Sequence, residues 1–351
     1  MSEIARKRPR VSLDADAEQK VLQDHPALYH DDGNVILSCG STLFRVHRSI
    51  LSKHSPVFRD ILERKEDTKT EILRGCLHVA LEDTKEEVEA LLNVIYDGFR
   101  VDFPDLTVVN FPTLSNIFRM ATKYRIDRTQ TDIMKRMKQE WPYDLDRRDA
   151  RTQAGLRIQQ QRQAANGAAN VNVNAALLEQ EELAVPPATA IALLRSGGCT
   201  DKELLVPLFY ALSCSAWQFG GPAVGHHIAS LSHADIERFI VGLEQIRTAF
   251  ASLAMTMPDS KHVTIPASHM PCYKGVSPFW QEALTIKLQA QYADAARRPI
   301  ELLKDAVALA RSPGYLAKHG LCPTCAALVV AYLERTRNEF WSKLPTFFGL
   351  T

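Results

Sequence analysis

The sequence predicts an α+β domain followed by an all-α region. Near the N-terminus, apolar residues alternate with polar ones in three short runs, as expected of half-buried strands. Elsewhere they recur at helical spacing, and a polar stretch without apolar periodicity separates the two parts. A chain of 351 residues, 46% of them hydrophobic, is long enough for two ordered regions with separate cores.

The N-terminal domain is predicted over residues 24–142 as a small sheet covered by helices. Two alternating runs flank Gly40-Ser41 and indicate a hairpin, and a third run predicts another strand. A helix is predicted to begin at Ser55-Pro56, because serine caps helices and proline fits the first helical position. The alternating runs are residues 35–39, 44–46 and 77–81.

Three more helices complete the predicted domain. Apolar residues share one face from Val88 to Tyr96, and Asp97-Gly98 ends that helix. A second amphipathic helix covers residues 114–121. A third is predicted to start with a capping box at Thr129 and to stop before Pro142.

Three motifs follow one another in the N-terminal part: Phe44-x-Val46-His47-Arg48-x-x-Leu51, Ser55-x-x-Phe58 and Ile95-Tyr96-Asp97-Gly98. In their order and spacing these residues resemble the BTB/POZ domain family, as it occurs in fungal proteins of the basidiomycete type. The resemblance covers about a third of the chain. It implies a non-enzymatic domain that homodimerises, pairs with related domains or recruits other proteins. It also implies interaction roles for Asn34, Phe44, His47, Arg48 and Phe58.

Two positions depart from the family's pattern. The family usually has an aspartate before the first strand, and this carboxylate pairs with the arginine after the histidine; here Asn34 stands opposite Arg48. An asparagine can hydrogen-bond to a guanidinium but cannot neutralise it, so the usual homodimer is left open. Members that bind cullin-type ubiquitin ligases have a short motif after the helix that carries the phenylalanine: a hydrophobic residue, any residue, then glutamate. Here Glu66 stands in the hydrophobic place and Thr68 in the glutamate place. This mismatch argues against cullin recruitment, and a cullin-type substrate adaptor is kept only as an alternative.

Residues 143–185 are predicted to be a flexible linker rich in glutamine, asparagine and alanine, with a helical extension of the first domain as an alternative for its start. Residues 186–351 are predicted to be a helical domain, since apolar residues recur at helical spacing between capping signals. The predicted helix starts are Pro186-Pro187, Thr200 with Glu203, Ser232 and Ser277-Pro278.

The sharpest candidate for chemistry is His319-x-x-Cys322-x-x-Cys325. Two thiols at this spacing can hold a structural zinc ion with His319 as third ligand, and Cys272 or His269 could supply the fourth. The same pair could be a redox dithiol, because a helix N-terminus lowers a thiol pKa, although no strand is predicted before it. Two packed cysteines without a ligand are the third alternative. No other cofactor is predicted, and no motif indicates an enzyme.

Bulk properties favour an intracellular protein. A net charge of +1 argues against extensive binding to nucleic acid or an anionic membrane, and no apolar run is long enough to span a bilayer. Seven cysteines at irregular spacing indicate a reducing compartment. Residues 1–23 are predicted to be a disordered basic tail. Its cluster Arg6, Lys7, Arg8 and Arg10 permits nuclear import, so the expected location is cytoplasmic or nuclear.

Overall fold

The protein is described by a computed structural model for residues 21–67, 71–98, 106–165, 184–215, 228–258, 263, 265–290 and 295–350. The chain divides into two compact units. The first comprises Met1–Gly98 with Tyr124–Ile126, and the second comprises Phe99–Lys123 with Asp127–Thr351. The basic cluster predicted at residues 6–10 lies outside the described residues.

The first unit is built on a mixed five-stranded sheet in the order β1-β3-β2-β5-β4. The predicted hairpin is confirmed: β2 and β3 pair antiparallel from Val35↔Val46 to Cys39↔Thr42, and Gly40 takes the positive φ of 59° that the tight turn needs. β2 also pairs in parallel with β5, so it is central and buried along its whole length. The strands are β1 Gln23–Tyr29, β2 Val35–Cys39, β3 Thr42–Val46, β4 Ile72–Leu73 and β5 Cys76–Leu81.

β1 corrects one predicted boundary. The basic tail was predicted to extend to residue 23, whereas β1 begins at Gln23, whose N–H donates to the Ser41 carbonyl oxygen at 2.8 Å. β1 pairs in parallel with β3 at an edge of the sheet. Its sequence contains Pro26, which weakens a strand pattern, and proline in a sheet is confined to such edges.

Three helices of the first unit are α1 Arg48–His54, α2 Pro56–Asp67 and α3 Lys85–Asp97. α2 begins where the sequence predicted, because the Ser55 hydroxyl oxygen accepts a hydrogen bond from the Phe58 N–H at 3.0 Å. The same hydroxyl donates to the carbonyl oxygen of Tyr124 at 2.5 Å. α3 starts with a capping box between Thr84 and Glu87 and ends at Gly98, as expected.

The described part of the second unit is mainly helical. Its longest helix, α14, packs against α8, α9 and α12. The helices are α4 Phe111–Lys123, α5 Asp127–Glu140, α6 Leu145–Ala165, α7 Pro187–Ser196, α8 Lys202–Cys214, α9 His233–Met255, α10 Met270–Trp280, α11 Ile286–Ala290, α12 Pro299–Arg311, α13 Tyr315–Lys318 and α14 Pro323–Phe347. A 3₁₀ turn, Ala267–His269, precedes α10, and a π-helical segment, Gln281–Thr285, joins α10 to α11.

The N-terminal ends of helices in the second unit can be compared with the caps predicted from the sequence. Ser232 caps α9 as predicted, through its hydroxyl and the Asp235 N–H. For α8 the cap is Asp201, which accepts from the Glu203 N–H at 2.9 Å, so Thr200 was the wrong residue. The Ser277-Pro278 signal was also wrong, because Pro278 lies inside α10. A proline signals a helix start only when the preceding turn is not already helical.

α6 occupies residues 145–165 of the predicted linker, where a helical extension was one of the expectations. Its first two turns carry two ion pairs within the second unit, Arg148 to Glu301 at 2.7 Å and Asp149 to Arg337 at 2.8 Å. Just before the helix, the Tyr143 carbonyl oxygen accepts a hydrogen bond from the Trp341 indole N–H. These links are ionic and hydrogen-bonded, so apolar periodicity could not reveal them. Residues 166–183 of the predicted linker lie outside the described residues.

Candidate functional site

The motif histidine, His47, lies at the end of β3 and just before α1. Its backbone N–H donates to the Tyr96 hydroxyl oxygen at 2.9 Å, and its Nδ1 lies 2.9 Å from the same oxygen. Its Nε2 lies 3.1 Å from Asp32 Oδ1, and this hydrogen bond lowers the pKa of the Asp32 carboxyl. Both ring nitrogens have protein partners, as expected for a packed, hydrogen-bonded histidine. We refer to Asp32, Asn34, His47, Arg48 and Tyr96 as the His47 cluster.

Asn34 occupies the place where the resembling family has aspartate. Its Oδ1 accepts a hydrogen bond from the backbone N–H of Arg48 at 2.8 Å, at the first residue of α1. Asn34 therefore satisfies one of the unpaired N–H groups at the helix start. It is exposed, and Arg48 is half-buried, so both are accessible to a partner.

The two motif phenylalanines are part of the core. Phe44 is fully buried and Phe58 is 1% exposed. Phe58 stacks on the Tyr124 ring, with centroids 4.2 Å apart and an interplanar angle of 3°. The pKa of the Tyr124 hydroxyl is raised mainly by burial and also by its hydrogen bond to Asp83. Phe44 and Phe58 can therefore support a binding surface only by holding its backbone in place.

A second group of reactive side chains lies within the second unit. His269, Cys272, Cys322 and Cys325 each offer one ligand atom, and these four atoms lie within 4.8 Å of one another. His269 Nδ1 is 3.2 Å from Cys322 Sγ. Cys272 and Cys325 are buried, whereas His269 and Cys322 are partly exposed. We call these four residues the Cys/His cluster.

The members of the Cys/His cluster occupy equivalent places at two helix starts. His269 precedes the first residue of α10 and Cys272 is the third residue of that helix. Cys322 precedes α14 and Cys325 is its third residue. The pKa of the Cys322 thiol is lowered to about 6, mainly by a hydrogen bond from the backbone N–H of Cys325. Burial raises the pKa of the Cys325 thiol to about 12.

One residue of the predicted ligand set, His319, lies outside the Cys/His cluster. Its Nε2 is 3.3 Å from Glu282 Oε2, and its ring is edge-on to Phe279. Cys322 and Cys325 are brought together as expected. Cys272 and His269, which the sequence offered as alternatives for a fourth ligand, are both present. The spacing in the sequence could not separate the two histidines, since His269-x-x-Cys272 and His319-x-x-Cys322 have the same spacing.

The model of the BTB/POZ domain family matches residues 28–140. These residues are a BTB/POZ domain. The match agrees closely with the predicted span 24–142 and includes β2 to β5, α1 to α3, α4 and α5. Comparison with curated proteins and comparison with solved structures each find no match.

The BTB/POZ domain places the sequence motifs in a known type of module, which generally mediates protein–protein interaction and is typically non-enzymatic. All five residues of the His47 cluster lie inside it. Of the two residues relevant to cullin binding, Thr68 lies outside the described residues, and the side chain of Glu66 is not described. Among the described residues, no helix combines the length and apolar character needed to cross a membrane.

Proposed function

We propose that this chain is an intracellular adaptor or regulator that works by binding other proteins through its BTB/POZ domain. The observation that carries the proposal is the match of residues 28–140 to a domain family whose general role is protein–protein interaction. The motif residues support it, because they form a hydrogen-bonded cluster at one end of the sheet with exposed members. Cytoplasmic or nuclear location and a fungal type of domain belong to the same proposal.

Two features of the first unit support self-association as one mode of binding. Val21 and Leu22 precede the edge strand β1 and are 76% and 43% exposed, and Ile72 on the opposite edge strand β4 is 70% exposed. Exposed apolar residues beside unpaired strand edges favour pairing with a second chain. The partner can be a second copy or a related BTB/POZ domain.

Asn34 offers a direct test of homodimerisation. Asn34→Asp keeps the oxygen that accepts from the Arg48 N–H and adds the charge that the family uses against the arginine. We expect sedimentation velocity on the full-length chain, over about a hundredfold range of concentration, to show a dimer that Asn34→Asp strengthens. A monomer throughout for both proteins would exclude the homodimer.

Recruitment of other proteins is tested separately by affinity capture from native cells. The comparison uses the full-length chain, Arg48→Glu, and Lys53→Glu as a matched control on the exposed side of α1. We expect specific partners with the unmodified chain and with Lys53→Glu, and their loss with Arg48→Glu. Capture of the same proteins by all three would refute a role for the His47 cluster. A cullin among the partners would support the substrate-adaptor alternative.

A further inference from the structure

We propose that His269, Cys272, Cys322 and Cys325 bind one zinc ion in a closed structural site. The inference is independent of the adaptor function. It assigns a metal to the helical second unit and places His269, rather than His319, in the ligand set.

The spacing of the ligand atoms suits a tetrahedral zinc ion. With Zn–S bonds of about 2.3 Å and Zn–N bonds of about 2.0 Å, neighbouring ligand atoms of a tetrahedron lie roughly 3.5–3.8 Å apart. The four atoms here lie within 4.8 Å of one another, and His269 Nδ1 is 3.2 Å from Cys322 Sγ. Side-chain shifts of about 1 Å or less complete the coordination, which rotamer adjustments can supply.

The local backbone stabilises the thiolates that zinc requires. Both pairs occupy the residue before a helix and its third residue, at the helix end whose first backbone N–H groups have no partner within the helix. The positive end of each helix dipole favours negative charge at the same point. Three thiolates with one zinc ion leave a net charge of −1, which these two helix starts face.

The close approach of the two ligand-bearing segments is built into the fold. A Cβ atom placed on Gly275, in α10, would lie 1.9 Å from the His319 carbonyl oxygen and 2.6 Å from Leu321 Cδ1. The glycine therefore allows the helix that carries Cys272 to touch the segment that leads into Cys322. Gly320, with φ of +79°, makes the turn in that segment. The two pairs meet although His269 and Cys322 are 53 positions apart.

The donor set selects zinc and a structural role. Three thiols and one imidazole are the ligands of structural zinc sites, whereas magnesium and calcium require oxygen donors. Four protein ligands leave no open position for a water or substrate, as catalytic zinc would need. A redox dithiol would use only two of the four groups, and the described residues 311–322 contain no strand ahead of Cys322. Bound zinc would join the start of α10 to the start of α14.

The test is the zinc content of the full-length chain, purified without chelator and measured by mass spectrometry of the metal. We expect one zinc per chain, lost in Cys272→Ser and in His269→Ala. His319→Ala and Cys199→Ser are matched controls, one a neighbouring histidine and the other a buried cysteine of the same unit outside the cluster. Both should keep the metal. Zinc that is retained in His269→Ala but lost in His319→Ala would overturn the ligand assignment.

A second measurement on the unmodified chain covers the case in which ligand variants fail to fold. Cobalt added to the chelator-treated protein should give the visible absorption of a tetrahedral ion and a thiolate-to-cobalt charge-transfer band. Zinc should then displace the cobalt and abolish both. Absence of zinc together with absence of these bands would overturn the proposal. A Cys322–Cys325 disulfide in place of bound metal would overturn it in favour of the redox dithiol.

Discussion

Replacing Arg148 by methionine removes the positive side chain that forms an ion pair with Glu301. Arg148 contacts Glu301 Oε1 at 2.7 Å and lies over the rings of Tyr210 and Trp341, with 5.0 and 5.5 Å to their centroids. The fully buried Tyr210 donates its hydroxyl proton to Glu301 Oε2 at 2.6 Å. Burial opposes ionisation of Glu301, but the Arg148 charge and the Tyr210 hydrogen bond outweigh it and lower its pKa. Arg148→Met leaves that carboxylate buried without its counter-charge.

The expected cost follows from what remains after the substitution. Removing one partner of a buried ion pair costs about 3–5 kcal/mol, and we take about 3 kcal/mol. The lower end applies because the Glu301 side chain is 26% exposed. In a unit of this size, that loss corresponds to a fall in Tm of about 6–12 °C. Methionine has similar reach, so packing on the two aromatic rings is largely kept.

The pH dependence supplies a second readout. In the unmodified chain the lowered pKa means that Glu301 stabilises the fold above its unfolded value of 4.5 and that this contribution is lost as the pH falls through the folded value. In Arg148→Met, burial raises the folded pKa above 4.5 instead, so the destabilisation is greatest near neutral pH and shrinks as Glu301 is protonated. Thermal unfolding followed by circular dichroism at several pH values measures both effects.

The matched control is Arg147→Met, one residue earlier and exposed. It removes the same charge and should leave the Tm nearly unchanged. Equal, small effects of the two substitutions would show that residues 145–151 behave as the flexible linker predicted from composition, and would refute the packing of α6. Adding Glu301→Gln to Arg148→Met should recover part of the loss, because the uncompensated charge is then gone.

Three further predictions concern separate parts of the chain. Gly275→Ala should destabilise the second unit by about 3 kcal/mol, because its Cβ would overlap the His319 carbonyl oxygen. The control Lys274→Ala, at an exposed position of the same helix, should leave the stability unchanged, and thermal unfolding measures both. Phe58→Ala should cost about 3–5 kcal/mol in a urea titration, since it empties the site against Tyr124; a loss under about 1 kcal/mol would contradict the stacking. Replacing the four basic residues at 6–10 by alanine should reduce nuclear signal of a fluorescent fusion, and an unchanged distribution would show that the cluster is not an import signal.

Features determined by short stretches of sequence could be predicted. The β2–β3 hairpin follows from alternating side chains around Gly40, and the starts of α2 and α9 follow from Ser55 and Ser232 as caps. Each depends on atoms a few positions apart, so composition and spacing reveal it. The same holds for the BTB/POZ motifs, whose order and spacing made residues 28–140 recognisable.

The candidate sites were only partly predictable, because their completion depends on distant residues. Cys322 and Cys325 were recognisable as a pair, but nothing in the spacing distinguished His269 from His319 as a partner. The His47 ring was expected to be hydrogen-bonded, yet its partners Tyr96 and Asp32 could not be named. A pairwise contact between distant positions is decided by how the helices and strands pack, and a single sequence does not display it.

By itself, the sequence determined the α+β character of the first part, the helical character of the second and the BTB/POZ motifs, because local hydrogen bonding and side-chain period set them. Tertiary structure alone decided that β1 joins the sheet edge and that α6 is held by Arg148 and Asp149 rather than forming a loose linker. It also decided which four ligand atoms meet in the Cys/His cluster. The physical reason is the same in each case: strand pairing, ion pairs and side-chain contacts join residues far apart in the chain, and packing determines which of them come within bonding distance.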